Sequence, residues 1–235
     1  RISDRTRAIL APDIFGQSAD IESLRDICTR HGVRLISDAA QAPGALRGGL
    51  YTGTLADIGG FSLNHHKHIT CGEGGLVVTN DERLAQRISL LRNHGEVLLG
   101  QGLEVTPRHG IVGANYRLGE IEAAIARAQL PKLAERAGSR TQAAARLTHG
   151  LEDLDGLRTP YVEQGNTHVY YVYGLVLDQE LAASRGRIVD ALRAEGVPAL
   201  AVGYQNIHRL PLFASRLAYG STGFPFGASR QRIET

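Results

Sequence analysis

The amino-acid sequence predicts an α/β protein: a mostly parallel sheet in a larger N-terminal part, followed by a smaller α+β part. Three observations carry this. Short apolar runs alternate with stretches of helical periodicity through the first half of the chain, as in strands joined through covering helices. Capping residues and glycines stand where those helices would start and stop. After about residue 115 the pattern changes to long Ala-rich helical stretches and an aromatic run. The boundary falls near 130, separating residues 1–130 from residues 131–235.

Each element has its own reason. Residues 8–11 form a short apolar strand broken by Pro12, which has no N–H for a ladder. Asp20 caps a helix whose Ile21, Leu24, Ile27 and Cys28 share one face, and Gly32 stops it. Residues 33–37 (VRLIS) form a buried strand with Asp38 at its carboxyl end. A second strand from Ile58 to Leu63 runs into the polar segment NHHKHIT, and Gly75 to Thr79 makes a third. A helix from about Asp81 puts Leu84, Ile88 and Leu91 in register. Leu118, Ile121 and Ile125 mark an Ala-rich helix interrupted near Pro131, and a second helical stretch runs to about Leu151. There follow the turn-rich DGLRTP, an aromatic strand HVYYVYGLVL whose tyrosines alternate between core and surface, and a helix carrying Leu181, Ile188 and Leu192 that ends at Gly196.

Composition narrows the function. The 235 residues are 43% hydrophobic and 21% charged, which excludes disordered and fibrous classes. Lys and Arg number 26 against 24 Asp and Glu, a balance with no general drive toward nucleic acid or an anionic membrane. No apolar run approaches the ~18 residues of a membrane span, and the N-terminus lacks a signal-peptide core. Cys28 and Cys71 make no disulfide framework and suit a reducing cytoplasm. Cys28 belongs to a core, and Cys71 has no base beside it. The sequence contains no Met, which favours a piece of something longer.

Three segments carry chemistry. The first is Asp38-Ala39-Ala40-Gln41-Ala42. Ligands of open α/β sheets sit beyond the strands' carboxyl ends, so Asp38 is either a site carboxylate or the cap of the next turn. The second runs from Phe61 to Gly75 (FSLNHHKHITCGEGG). Its Lys67 is either a solvated surface charge or a Schiff-base lysine, whose amine must lose its proton to attack a carbonyl. The glycines are followed by a strand, so they make neither a dinucleotide fingerprint nor a phosphate loop; they permit a tight turn and close backbone approach. The third is Gly113-Ala114-Asn115-Tyr116-Arg117, where Asn115 is either an N-cap or an anion contact at a helix start. His65, His66 and His68 with Cys71 do not amount to a zinc site. Adjacent histidines in an extended segment point to opposite faces, and no second ligand pair is present. No metal is expected.

Together, in this order and spacing, the three segments resemble the DegT/DnrJ/StrS-type sugar aminotransferase family, pyridoxal-phosphate enzymes of fold type I. That family pairs Asp-x-Ala-Gln/His-Ala after a strand with Phe-Ser-x-x-x-x-Lys, Gly-Glu-Gly-Gly five residues beyond the lysine, and Gly-x-Asn-Tyr-Arg; here Lys67 to Gly72 is five residues. APDIFGQSADIESL, RNHG at 92–95 and YQNIHRLPLF at 204–213 also look like family segments.

The resemblance implies transamination of a keto-sugar, nucleotide-linked, or of a keto-cyclitol, with glutamate or glutamine as donor. Lys67 would hold pyridoxal 5'-phosphate and later shuttle a proton. Asp38 would pair with the pyridine nitrogen, Gln41 would lie against the ring or its phenolic oxygen, and Ser62 would contact the phosphate. Asn115 would reach the phosphate of the neighbouring subunit's cofactor, which implies a homodimer with shared sites. One branch of the family places His at the lysine and dehydrates; the lysine here favours the transferases, and its retention with Asp38 argues against a silent regulator. Family members also carry a phosphate turn and a ring-stacking aromatic ahead of the strand that opens this sequence. Asn64 stands where many members have His or Gln.

Overall fold

In chain order the elements are β1 (Ala8–Pro12), α1 (Ile21–His31), β2 (Arg34–Asp38), β3 (Leu46–Arg47), β4 (Leu50–Tyr51), β5 (Ile58–Ser62), β6 (Gly75–Val78), α2 (Glu82–Arg92), α3 (Glu120–Gln129), α4 (Leu133–Leu151), β7 (Leu157–Arg158), β8 (Val176–Leu177), α5 (Gln179–Ala182), α6 (Arg185–Ala194) and α7 (Pro211–Ala214). They come from a computed structural model that describes residues 2–96, 111–216, 218–221 and 223–228. One compact unit extends to Val176 and a second begins at Leu177.

The main sheet has the order β1-β2-β5-β6. β1 pairs with β2 in parallel from Ala8↔Arg34 to Pro12↔Asp38, and β2 with β5 in parallel from Ile36↔Ile58 to Asp38↔Gly60. β6 runs antiparallel to β5, so the sheet is mixed, with its reversed strand at one edge. β1 forms the other edge, where Pro12 deprives no neighbour of a bond.

Local chemistry explains the covering helix. The Asp20 side chain accepts from the Ser23 N–H, and Gly32 closes α1 at φ 63°. The helix buries Ile21 and Cys28 against Ala11 of β1 and Leu35 of β2. In α2, Asp81 accepts from the Arg83 and Leu84 N–H groups. Its stripe is turned from the expected register: Leu90 is buried, and Leu91, expected inside, is 39% exposed. The inward direction is set by what the helix packs on, which periodicity alone does not specify.

A 3-10 turn at Leu130–Lys132 holds Pro131 and separates α3 from α4, as the interrupted pattern predicts. Ile121 and Ile125 of α3 are exposed. Leu118, Ala126 and Leu133 pack on buried Leu63, Ile69 and Cys71 beneath the lysine segment.

The aromatic run departs from expectation. Only Val176–Leu177 is strand; residues 168–175 are irregular, and Tyr170 has φ 49°. Their polar groups find partners outside a ladder. Val169 donates to the Gly16 carbonyl at 2.8 Å and Val172 to that of Phe15 at 3.3 Å, while Arg140 donates to the Tyr170 carbonyl at 3.0 Å. Backbone satisfied in this way has no need of a sheet, and Tyr170, Tyr171 and Tyr173 are all half-buried rather than alternating.

In the second unit the expected single helix is two, α5 and α6. Ser184 has left helical geometry at ψ 2°, and Gly196 lies beyond the end at φ 84°.

Candidate active site at the carboxyl ends of the parallel strands

β1, β2 and β5 point their carboxyl ends the same way. A cavity of about 310 Å³ opens there, lined by the Pro12–Ile14 turn, Asp38, Ala40, Gln41 and Lys67. Asp38 is locked by its neighbours: its carbonyl accepts from the Asp13 N–H and the following N–H, of Ala39, donates to the Gly60 carbonyl, both at 2.9 Å. Its carboxylate accepts from the Ala40 N–H at 3.1 Å. Capping the turn and facing the cavity are therefore compatible. Gln41 accepts the Phe15 N–H on Oε1 at 2.8 Å, which fixes the amide and leaves Nε2 as its donor.

Lys67 follows a turn in which its N–H donates to the Asn64 carbonyl at 2.9 Å. Asn64 builds that turn. Its Oδ1 accepts from the His66 N–H at 3.1 Å, and its Nδ2 donates to Glu73 at 2.6 Å. The Lys67 amine is half-buried, and burial pushes its pKa below the ordinary lysine value while the Asp38 charge opposes the shift. Its Nζ lies 4.4 Å from the centroid of the Tyr171 ring.

Two of the five expected site residues, Ser62 and Asn115, are not among the residues that line this cavity. Ser62 ends β5, its Oγ accepting the Asn64 N–H at 3.2 Å, and the cavity lining does not include it. Asn115 is exposed and is not an N-cap, since Gly119 holds that place in α3. Its Oδ1 accepts from the Arg117 N–H at 3.3 Å, and it bridges to Asn93. The glycines around it are steric. A Cβ on Gly113 would overlap the Gly95 nitrogen, and one on Gly95 the Ile111 carbonyl, so the 92–95 and 113–117 segments fit together only with glycine. Likewise Gly72 turns at φ 91°, and a Cβ on Gly74 would press on Cys71 and Leu118.

Sequence reasoning missed three nearby residues, Asp13, Tyr171 and His168, and weighed His68 only as a metal ligand. Asp13, 1% exposed, accepts the Ser37 hydroxyl and, at 2.8 Å, the Ala19 N–H. Burial raises its pKa despite these bonds, and Asp38 adds to the rise. A signal existed: Asp13 follows β1 as Asp38 ends β2. Tyr171 and His168 had none, being brought in from far along the chain; His168 comes to lie near buried His68, the residue after Lys67. His68 Nε2 contacts the Val169 carbonyl at 2.7 Å. His168 accepts the Tyr170 N–H on Nδ1 at 2.9 Å, and burial, with His68 nearby, pushes its pKa down to about 4.

Cys71 is buried, its thiol donating to the Glu73 carbonyl at 3.4 Å, and burial raises its pKa. That is the environment of an inert thiol. Among the described residues no three His, Cys, Asp or Glu side chains gather as a metal site, and no helix is long and apolar enough to cross a membrane.

An α/β sheet that brings a desolvated lysine and a carboxylate to one cavity at its strand ends defines the class. The chain belongs to the DegT/DnrJ/EryC1/StrS aminotransferase family, whose profile matches residues 1–230. GDP-perosamine synthase of Caulobacter vibrioides is 35% identical over 216 residues, covering 91% of this chain and 56% of that protein. The L-glutamine:2-deoxy-scyllo-inosose aminotransferase of Streptomyces fradiae is 38% identical over 184 residues, 76% of this chain and 43% of its own length. Among solved structures, S. venezuelae DesV superimposes with a TM-score of 0.79 at 32% identity, covering 97% of this chain and 58% of DesV. The chain thus spans about half the length of these relatives.

Proposed function

We propose that the protein is a pyridoxal 5'-phosphate-dependent aminotransferase that places an amino group on a keto-sugar, nucleotide-linked, or on a keto-cyclitol, with glutamate or glutamine as donor. The observation that carries this is the half-buried Lys67 amine on the same cavity as Asp38. The names of the relatives support the substrate class, one being a GDP-perosamine synthase and the other using L-glutamine on an inosose.

The residues fit the cofactor. A cavity of about 310 Å³ is within the usual range for small-molecule sites, and it offers an amine, an anion and an amide donor. When bound, pyridoxal phosphate supplies the carbonyl that accepts an amino group and a ring that takes up the electron pair of a broken C–H bond. Lys67 would hold it through Nζ. With that amine released, the same nitrogen would carry a proton to and from the substrate carbon. Asp38, fixed between β1 and β5, would favour a protonated ring nitrogen. Gln41 would donate from Nε2 to the phenolic oxygen. The Ser62 hydroxyl, whose lone pair already serves Asn64, would donate to the phosphate.

Asn115 would reach the partner's cofactor phosphate in a homodimer; its exposure supports this part of the reading. Asp38, Gln41, Ser62, Lys67 and Asn115 all precede residue 131, which supports 1–130 as the cofactor-binding part and 131–235 as the smaller one. A cytoplasmic location goes with the free thiols of Cys28 and Cys71.

The test is amino transfer from L-glutamine or L-glutamate to a panel of nucleotide-linked keto-sugars and keto-cyclitols, read by product mass. The expectation is one productive acceptor class and complete loss in Lys67→Ala. Retained turnover in that variant, or no transfer to any acceptor by the wild type, would overturn the reading.

A further inference from the structure

We propose that the face of Tyr171 is the seat of the Lys67 amine whenever that amine is not bonded to carbon, making Tyr171 a positioning residue that fixes where the lysine points and how firmly it keeps its proton. The proposal rests on Lys67 being the reactive amine of the site. It does not depend on which cofactor or acceptor the amine serves.

The geometry is that of a cation held on a ring, with Nζ 4.4 Å from the Tyr171 centroid, inside the ~6 Å over which the attraction operates. The ring is presented by a segment tied down on both sides. Val169 and Val172 bond to the carbonyls of Gly16 and Phe15. Arg140 holds the Tyr170 carbonyl, and the Tyr173 hydroxyl meets Thr148 at 2.7 Å.

The charges around the amine set the balance. Asp38 and Asp13 face the same cavity. His68, which would add positive charge if protonated, has its pKa lowered by burial, as has His168. The Asp38 carboxylate favours the ammonium and burial opposes it, and the ring face adds to the side of the ammonium. A ring face attracts the ammonium and not the neutral amine, so removing it leaves burial less opposed.

The chain contains only two lysines, Lys67 and the exposed Lys132, so each serves as the other's reference. Trace acylation with acetic anhydride across pH, in protein free of added cofactor, gives the titration midpoint of each by mass spectrometry. The wild-type midpoint of Lys67 is expected below that of Lys132. Tyr171→Phe should leave it in place, and Tyr171→Leu should lower it by about half a pH unit. A Leu variant with an unmoved or raised midpoint, or a Phe variant that behaves like Leu, would overturn the proposal.

A second measurement needs no variant. With carbon-13-labelled lysine, the ε-methylene protons of Lys67 are expected upfield of those of Lys132 through the ring current; superimposed resonances would refute the seat. Neither measurement uses amino transfer. A failure of the proposed function therefore shows in the acceptor panel alone, and a failure of this inference in the titration and the spectrum alone.

Discussion

Lys67 is met from two sides that are built differently. On the sheet side, Asp38 is placed by ladder register, between Pro12 of β1 and Gly60 of β5, and the space behind it is filled backbone against backbone. On the other side, residues 168–173 have no ladder; single bonds from α4 and from the Phe15–Gly16 loop hold them. Position on the first side follows from ladder register and close backbone packing, and on the second mainly from hydrogen bonds added one at a time, together with a close backbone approach at Gly16. The two sides also answer acid with opposite sign, through a carboxyl on one and imidazole on the other.

The steric side gives the largest expected effect. A Cβ on Gly59 would overlap the Gly53 carbonyl, so Gly59→Ala should cost about 3 kcal/mol or more, read as a lower urea midpoint. An unchanged midpoint would show that β5 yields more readily than its packing implies.

The acid response comes next. His168 has a folded pKa of about 4 against an unfolded value near 6.5. Its contribution is fully present above pH 6.5 and is lost as pH falls toward 4, on the order of 2–3 kcal/mol. Protonation would also break its Nδ1 bond to the Tyr170 N–H. Asp13 works the other way: its raised pKa makes the folded state the better proton acceptor, so stability is gained as pH falls through the folded value. Urea midpoints measured from pH 7 to 4 should fall less steeply in His168→Asn and more steeply in Asp13→Asn. Parallel curves for the two variants would erase the contrast between the sides.

The smallest effect belongs to one strap. Thr148→Val removes the partner of the Tyr173 hydroxyl and should cost about 1 kcal/mol. A loss as large as that of Gly59→Ala would mean that the aromatic segment is held cooperatively.

The same division decides what the sequence could reveal. The caps Asp20, Asp81 and Gly32 act within their own turns, and Asp38, Gln41 and Lys67 hang on strand ends or their turns, so local pattern and motif spacing reach them. Asp13 obeys the same strand-end rule and was within reach of it. The segment 168–175 reads as a strand by its aromatic and β-branched content, yet its partners are α4 and a loop far away in the chain, and no local pattern encodes them. The same holds for Tyr171 over Lys67, and for the choice of Leu90 over Leu91 as the buried residue of α2. Ser62 and Asn115 were found by motif, but their side chains serve nearby backbone N–H groups, a local duty that motif spacing does not disclose.

The central claim is that the Lys67 amine captures a carbonyl in this cavity. Adding pyridoxal 5'-phosphate, reducing with borohydride and mapping the modified peptide tests it directly, with Lys132 as the built-in control. The predicted result is stable modification of Lys67 with little or none at Lys132. An unmodified Lys67, or equal modification of both lysines, would contradict it.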